Sequence, residues 1–264
     1  MKLLITIPVY ISNELHAEFT EITLKSIKTV HDYEIYLIKN YCKPEFESQL
    51  KQFQLDQLCG IIINPKGNSV PASWNLGIQI GIDKHADFIL IPNNDLIFHS
   101  KCIDNLIKFA YQHPEFILWT ASEHEDMRTI NFIKLNDSFD EHPHFSCFMI
   151  SPKTIELLKA KEERTKEPNP GFFDENFKVA YFEDGDYHQR ILRAGYKAGK
   201  TASALFYHFG SRTIHVDDEL YTSNKRSYED NRAYFKQKWG FDPHNSVINN
   251  DDPIRFKYKG PFQP

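Results

Sequence analysis

A chain of 264 residues with 41% hydrophobic and 25% charged side chains and a mean hydropathy of −0.50 is long enough for one sizeable core. Those proportions exclude a disordered chain and give no hint of a membrane bundle, and the net charge of −5 supplies no global attraction for nucleic acid. Cys42, Cys59, Cys102 and Cys147 form no CxxC pair, which argues against a zinc site or disulfide framework. Thr6 and Pro8 interrupt the apolar start before a secretion-type region develops, so neither a signal peptide nor a transmembrane segment is expected, and cytoplasmic residence is.

In chain order, LLITIPVY (3–10) is an apolar strand that runs into a polar loop with Ser12 and Asn13. Leu15, Phe19, Ile22, Ile27 and Val30 recur at near-helical spacing, and EIYLIKN (34–40) is a second strand ending on Asn40. Pro44 opens a short helix with Phe46, Leu50 and Phe53 on its apolar side, and GIIIN (60–64) is a third strand, ending on Asn64. A Gly-containing loop leads to a helix carrying Trp74, Ile78 and Ile82 on one face. FILIPNNDLIF (88–98) then brings a continuous apolar run, Phe88 to Ile91, to an edge occupied by Asn93, Asn94 and Asp95. The βαβαβαβ alternation predicts parallel strands with helices on both faces, because parallel strands need crossover connections.

Beyond Asp95 the pattern predicts a helix at about 101–111 capped by Ser100, then strands at 116–120 and 145–150. Residues 159–170, charged and Pro-containing, are expected to form a mobile surface loop. A second acidic cluster, Glu183, Asp184 and Asp186, opens a helix closed by Gly195, and a strand at about 201–207 ends on Tyr207 and His208. The last helix, about 228–239, is expected to start at the S-x-x-D pattern of Ser227 and Asp230.

In open α/β sheets ligands bind outside the carboxyl ends of the strands, which is where Tyr10, Asn40, Asn64 and Asn93 to Asp95 fall. A carboxylate there suits Mg2+ or Mn2+, whose shell substrate phosphates complete, with His208 as a candidate second ligand. The acidic cluster offers a general base, and a helix start rich in carboxylates equally suits the helix dipole. No GxSxG, HExxH, Walker A or GxGxxG pattern is present.

Four segments in order, LLITIPVY, NPKGNSVPASWNLGI, FILIPNNDLIF and FDENFKVAYFEDGDYHQRILRAGYK with YHFGSRT, make residues 3 to 213 resemble a family 2 glycosyltransferase of the GT-A fold. The resemblance implies an α/β fold with a Rossmann-like, mostly parallel central sheet flanked by helices. It implies a catalytic domain over 1–213, with a C-terminal helix and extended tail at 214–264 packed on the same domain. It further implies inverting, metal-dependent transfer of a hexosyl or deoxyhexosyl group from a UDP-, GDP- or dTDP-sugar to a glycan or glycoconjugate hydroxyl. Asp95 matches the last acid of a DxD motif, His208 a late metal-ligand histidine, and Asp184, with Glu183 beside it, the catalytic base. Pro8 and Tyr10 match a first-strand nucleotide contact, and Asn75 an Asn on the helix after the third strand. The chain departs from the pattern at Asn40, where an Asp or Glu is usual, at Asn93, and near Ser69, where Lys66 stands in for a phosphate-binding Arg. A non-catalytic nucleotide-sugar binding protein and a sugar nucleotidylyltransferase are the alternatives, the latter lacking its Gly-rich loop after the first strand. Arg255, Lys257 and Lys259, set among aromatic residues, are expected to reach over the site or to the acceptor.

Overall fold

A computed structural model describes residues 1–210 and 218–243. The first half follows the periodicity closely: β1 (Lys2–Ile11), α1 (Glu14–Ser26), β2 (Asp32–Cys42), a 3-10 turn at Pro44–Phe46 leading into α2 (Glu47–Asp56), β3 (Gly60–Ile63), α3 (Val70–Asp83) and β4 (Phe88–Pro92). Its strands stand in the order β3-β2-β1-β4 and are all parallel. All five residues of β4 are buried, as a central strand covered on both faces requires. Asn13 caps α1, its side chain accepting from the His16 N–H, and Ser69 caps α3 by accepting from the Ala72 N–H. The helix α1 ends before Val30, which is 85% exposed and takes no part in its apolar face.

The second half contains β5 (Leu96–Phe98), α4 (Cys102–Gln112), β6 (Phe116–Glu123), β7 (Phe139–Asp140), β8 (Cys147–Ile150), α5 (Pro152–Glu162), α6 (Glu183–Arg193), β9 (Lys197–His208) and α7 (Asp218–Trp239). The sheet continues from β4 through β8, β6 and β9 to β5, with β7 also on β9. Here only β6 and β9 run parallel; β4–β8, β6–β8, β5–β9 and β7–β9 are antiparallel. The sheet is therefore parallel through β4 and mixed beyond it.

Alternation along β1 sends Leu3, Ile5, Ile7, Val9 and Ile11 into a core shared with α1, α2 and α4, while Leu4 joins α3, α5 and α6 on the opposite face. Each fully buried aliphatic or aromatic side chain there contributes about 1.5–3 kcal/mol. The helix α3 approaches the sheet closely at Gly77 and Gly81, where a methyl group would overlap Thr6 and Ile89. A third, smaller core of Phe177, Phe182, Tyr228 and Phe235 joins α7 to the segment before α6.

Three expectations are corrected. Lys101, without a side-chain bond, occupies the α4 cap; the Ser100 N–H is instead satisfied by Asn131 Oδ1 at 3.1 Å. The helix α7 begins at Asp218, so Ser227 and Asp230 are interior positions; Ser227 is buried, and Asp230 faces Lys178. Residues 159–170 are not a detached loop, because Glu162 (3% exposed) and Glu167 close over the fully buried Arg190. Arg190 Nη2 meets Glu162 Oε2 at 2.5 Å and its Nε meets Oε1 at 2.7 Å, a bidentate pair that a charge-counting view of the sequence takes for solvated surface. Arg255, Lys257 and Lys259 lie outside the described residues. No helix among the described residues is long and apolar enough to cross a membrane. All four cysteines are buried free thiols, and burial pushes Cys42 and Cys59 up to about 11.

Candidate active site

The Asn93–Asp95 turn lies between β4 and β5, and the register of β5 on β9 sets Leu96 opposite His208. That register places Asp95, 5% exposed, against the His208 ring: Oδ1 and Nε2 are 3.1 Å apart. The turn is held from three sides. The Phe209 N–H donates to the Asp95 carbonyl (3.1 Å), the Asn93 N–H to the Ser146 carbonyl (2.8 Å), and Asn94 Nδ2 to Thr20 Oγ1 on α1 (2.9 Å). Burial opposes the charged His208 ring, but the carboxylates of Asp95 and Glu123 outweigh it and raise its pKa.

One carboxylate and one imidazole facing each other at a sheet edge fit a divalent cation with open positions. Among the described residues no group of three or more His, Cys, Asp or Glu side chains is arranged around a common point. The remaining positions would thus fall to diphosphate oxygens and water, the usual coordination of Mg2+ and of the chemically similar Mn2+ at nucleotide sites.

The second cluster opens α6, and its three carboxylates have different surroundings. Asp186 is fully buried and committed: its Oδ1 accepts from Trp239 Nε1 and Lys238 Nζ, both at 2.8 Å, and Oδ2 lies 3.7 Å from Arg190. Glu183 is 4% exposed and its Oε2 has no hydrogen-bond partner among the described residues. Burial, followed by the charges of Asp184 and Asp186, raises its carboxyl well above the ordinary range. Asp184 is half-buried; burial raises its pKa too, while the Gly185 N–H, bonded to Oδ1 at 2.7 Å, and the His144 charge work in the opposite direction.

His144 connects the two clusters. Its Nε2 lies 3.1 Å from Glu123 Oε2, at the end of β6, and Glu123 in turn senses His208 and Asp95. The hydrogen bond from His144 lowers the Glu123 pKa, and the His144 and His208 charges add to it against burial. Asp95 with His208 and Glu123 with His144 thus form two close pairs, and the charges of Glu123 and His208 influence each other beyond contact distance.

No family model matches the chain. A galactofuranosyl glycosyltransferase from Leishmania donovani is 34% identical over 89 residues, which is 34% of this chain and 19% of that protein. The crystal structure of GalNAc-T7 with UDP, GalNAc and Mn2+ superposes with a TM-score of 0.61 at 11% identity, over 93% of this chain and 52% of that one. The chain thus spans about a fifth of the relative and half of the structural neighbour. The fold is that of a GT-A-like glycosyltransferase.

Within this fold the nucleotide candidates divide into two groups. At the ends of β1 and β2 a bulge between Val9 and Tyr10 shifts the register so that Tyr10 stands opposite Tyr41. Their rings lie 5.0 Å apart at 31°, and with Pro8, half-buried one residue before Val9, they form an aromatic surface suited to a base. Asn40, Asn64 and Ser73 bond mainly to one another: Asn40 Oδ1 accepts from Asn64 Nδ2 at 2.8 Å and Ser73 Oγ at 2.7 Å, and Asn64 Nδ2 also donates to the Gly67 carbonyl. Asn64 Oδ1 accepts from the Lys66 N–H at 3.0 Å, shaping the loop before α3. The Lys66 ammonium is ion-paired with Glu175. Asn75 bonds the Phe173 backbone in both directions (2.9 and 2.8 Å) and Glu175 Oε1 at 2.9 Å, so it tethers the segment before α6.

Tyr41, Glu123 and His144 were not among the sequence candidates. Tyr41 follows Asn40 directly, and its role depends on the β1 bulge. Glu123 and His144 flank a polar excursion with no periodicity, and only the β6–β8–β9 pairing brings them together.

Proposed function

We propose that the protein is a metal-dependent, family 2-like, inverting glycosyltransferase that moves a sugar from a nucleoside diphosphate donor to a hydroxyl of a glycan or other acceptor. The observation that carries this is the Asp95–His208 pair, 3.1 Å apart where β4 and β9 end in a GT-A-like sheet. The UDP and Mn2+ of GalNAc-T7 support a sugar nucleotide with a divalent ion, Mn2+ before Mg2+ because a nitrogen ligand contributes. That ion, held by Asp95 and His208, would neutralise charge developing on the departing diphosphate. Pro8, Tyr10 and Tyr41 receive the base, and the Asn40–Asn64–Ser73 network shapes the loop before α3, from which Lys66 would reach the phosphates on leaving Glu175.

In the reaction, the acceptor oxygen attacks the anomeric carbon and its proton passes to Asp184. The bond from that carbon to the diphosphate breaks, and its electron pair leaves on the diphosphate oxygen. Asp184 suits the base role because it is partly accessible, whereas Glu183 is buried and burial raises its carboxyl well above the ordinary range. Fold alone does not set the stereochemical course. Direct displacement requires that an α-linked donor give a β-linked product.

The test is Asp184→Asn, which preserves size but cannot take the proton. The turnover number should fall by about 10²- to 10⁴-fold with donor affinity little changed. A loss confined to KM assigns Asp184 to substrate positioning, and a large loss in Glu183→Gln with little in Asp184→Asn moves the base by one residue. NMR of the product reads inversion independently.

A further inference from the structure

Immediately before Glu183 and Asp184 the backbone takes an unusual course. Val179, Tyr181 and Phe182 have φ of 56°, 84° and 72°, left-handed values at non-glycine residues, one of them β-branched. The α6 cap is Phe182, which offers no side-chain bond to the helix start. The direction in which the chain enters α6 is therefore set from outside the helix.

Besides the Val70 N–H, which donates to the Val179 carbonyl at 2.7 Å, the constraint comes from Asn231 on α7, 1% exposed. Its Oδ1 accepts from the Lys178 N–H at 2.8 Å, and its Nδ2 faces the carbonyls of Lys178 (2.8 Å), Ala180 (2.9 Å) and Tyr181 (3.1 Å). One amide thus meets four backbone groups across this stretch, its two N–H hydrogens shared among three carbonyls. The same face of α7 continues the grip at helical spacing. Tyr234 Oη and Lys238 Nζ donate to Asp174 at 2.8 and 2.9 Å, Phe235 packs near Phe182 with ring centres 6.2 Å apart, and Lys238 reaches Asp186. The acid pair is therefore held before and after, from a single helix.

We infer that Asn231 is a positioning residue for the candidate base, its amide fixing the Lys178–Tyr181 backbone, left-handed at Val179 and Tyr181, that aims Asp184 toward the acceptor hydroxyl. The inference rests on Asp184 being the base. A displacement of about 1 Å of a reacting group costs on the order of 10² in rate, so releasing the amide should lower turnover without removing any group that touches substrate.

The experiment is a double-mutant cycle of Asn231→Ala and Asp184→Asn. It reads turnover with whichever UDP-, GDP- or dTDP-hexose the wild-type protein hydrolyses fastest in Mn2+, UDP binding in Mn2+ by calorimetry, and amide exchange over residues 178–184. Asn231→Ala should lower turnover by about 10²-fold, leave the UDP affinity within about threefold, and speed exchange in that segment. In the Asp184→Asn background its effect on turnover should nearly vanish, because the group it positions is gone. Asn231→Asp keeps the acceptor for the Lys178 N–H but sets a carboxylate oxygen against the carbonyls of Lys178, Ala180 and Tyr181, so it should lose at least as much turnover as Asn231→Ala, and Gln237→Ala, on the exposed side of α7, should change nothing. Full turnover in Asn231→Asp, fully multiplicative losses in the cycle, or unchanged exchange over 178–184 would each overturn the inference. Asp184→Asn turning over at the wild-type rate would overturn the base assignment instead, and the exchange result would then still report whether Asn231 holds the loop.

Discussion

The two halves of the sheet are built by different means. From β1 to β4 each strand is followed by a crossover whose apolar spacing sets its fold, and the polar strand ends largely satisfy one another, as Asn40, Asn64 and Ser73 do. From β5 onward most strand pairs are antiparallel, and side chains far apart in sequence hold the layers together: Arg190 with Glu162, Lys238 with Asp174 and Asp186, Asn231 with residues 178–181. The first half supplies a rigid floor. The second supplies the carboxylates and the histidine with raised proton affinity, Glu183, Asp184 and His208, and buried charges hold its layers together.

The largest stability loss should come from the second half. Arg190→Met removes the partner of a carboxylate that is 3% exposed, and an uncompensated buried charge costs about 3–5 kcal/mol. Chemical denaturation checks this, and a change under about 1 kcal/mol would show that Glu162 finds water or another donor.

A pH effect of comparable origin is expected at His188. Burial, with His142 adding to it, lowers its pKa to about 4, so the folded protein keeps the ring neutral where the unfolded chain already binds a proton near pH 6.5. Stability is complete above the unfolded value and is lost as pH falls from about 6.5 toward 4, by up to about 3 kcal/mol. His188→Phe should flatten that part of the stability–pH curve; an identical slope in the variant would remove His188 as its source.

A smaller effect is expected in the first half. Asn64→Ala strips a buried amide that bonds Asn40, Ser73, Gly67 and Lys66, leaving some of those groups to water, at a cost of about 1–3 kcal/mol. Nucleotide binding should weaken with it, because the loop before α3 loses its shape. An equal melting temperature and unchanged UDP binding would mean that the network is dispensable.

The same contrast explains what was legible in the sequence. Strands β1 and β4 announce themselves because burial on both faces demands continuous apolar runs, and Asp95 stands out as the carboxylate at the end of one of them. That Asp95 meets His208 depends on the β5–β9 register, which no local pattern encodes, although both residues end strands. Charge in a Pro-containing stretch looks solvated, so Glu162 and Glu167 gave no sign of their pairing with Arg190. Asn231 sits in a polar helix among exposed neighbours, and nothing in its surroundings distinguishes an amide that carries four backbone bonds. Asp186, equal to Asp184 in the sequence, proves committed to Lys238 and Trp239 only in three dimensions.

The most direct test of the account is calorimetric titration of UDP and GDP into the wild-type protein and Asp95→Ala, with and without Mn2+. Wild-type affinity for one of them should rise at least about tenfold with Mn2+, a gain of about 1.4 kcal/mol, and the gain should disappear in Asp95→Ala while the metal-free affinity stays the same. A gain of equal size in both proteins would leave Asp95 a turn residue paired with His208 and contradict the metal-dependent site.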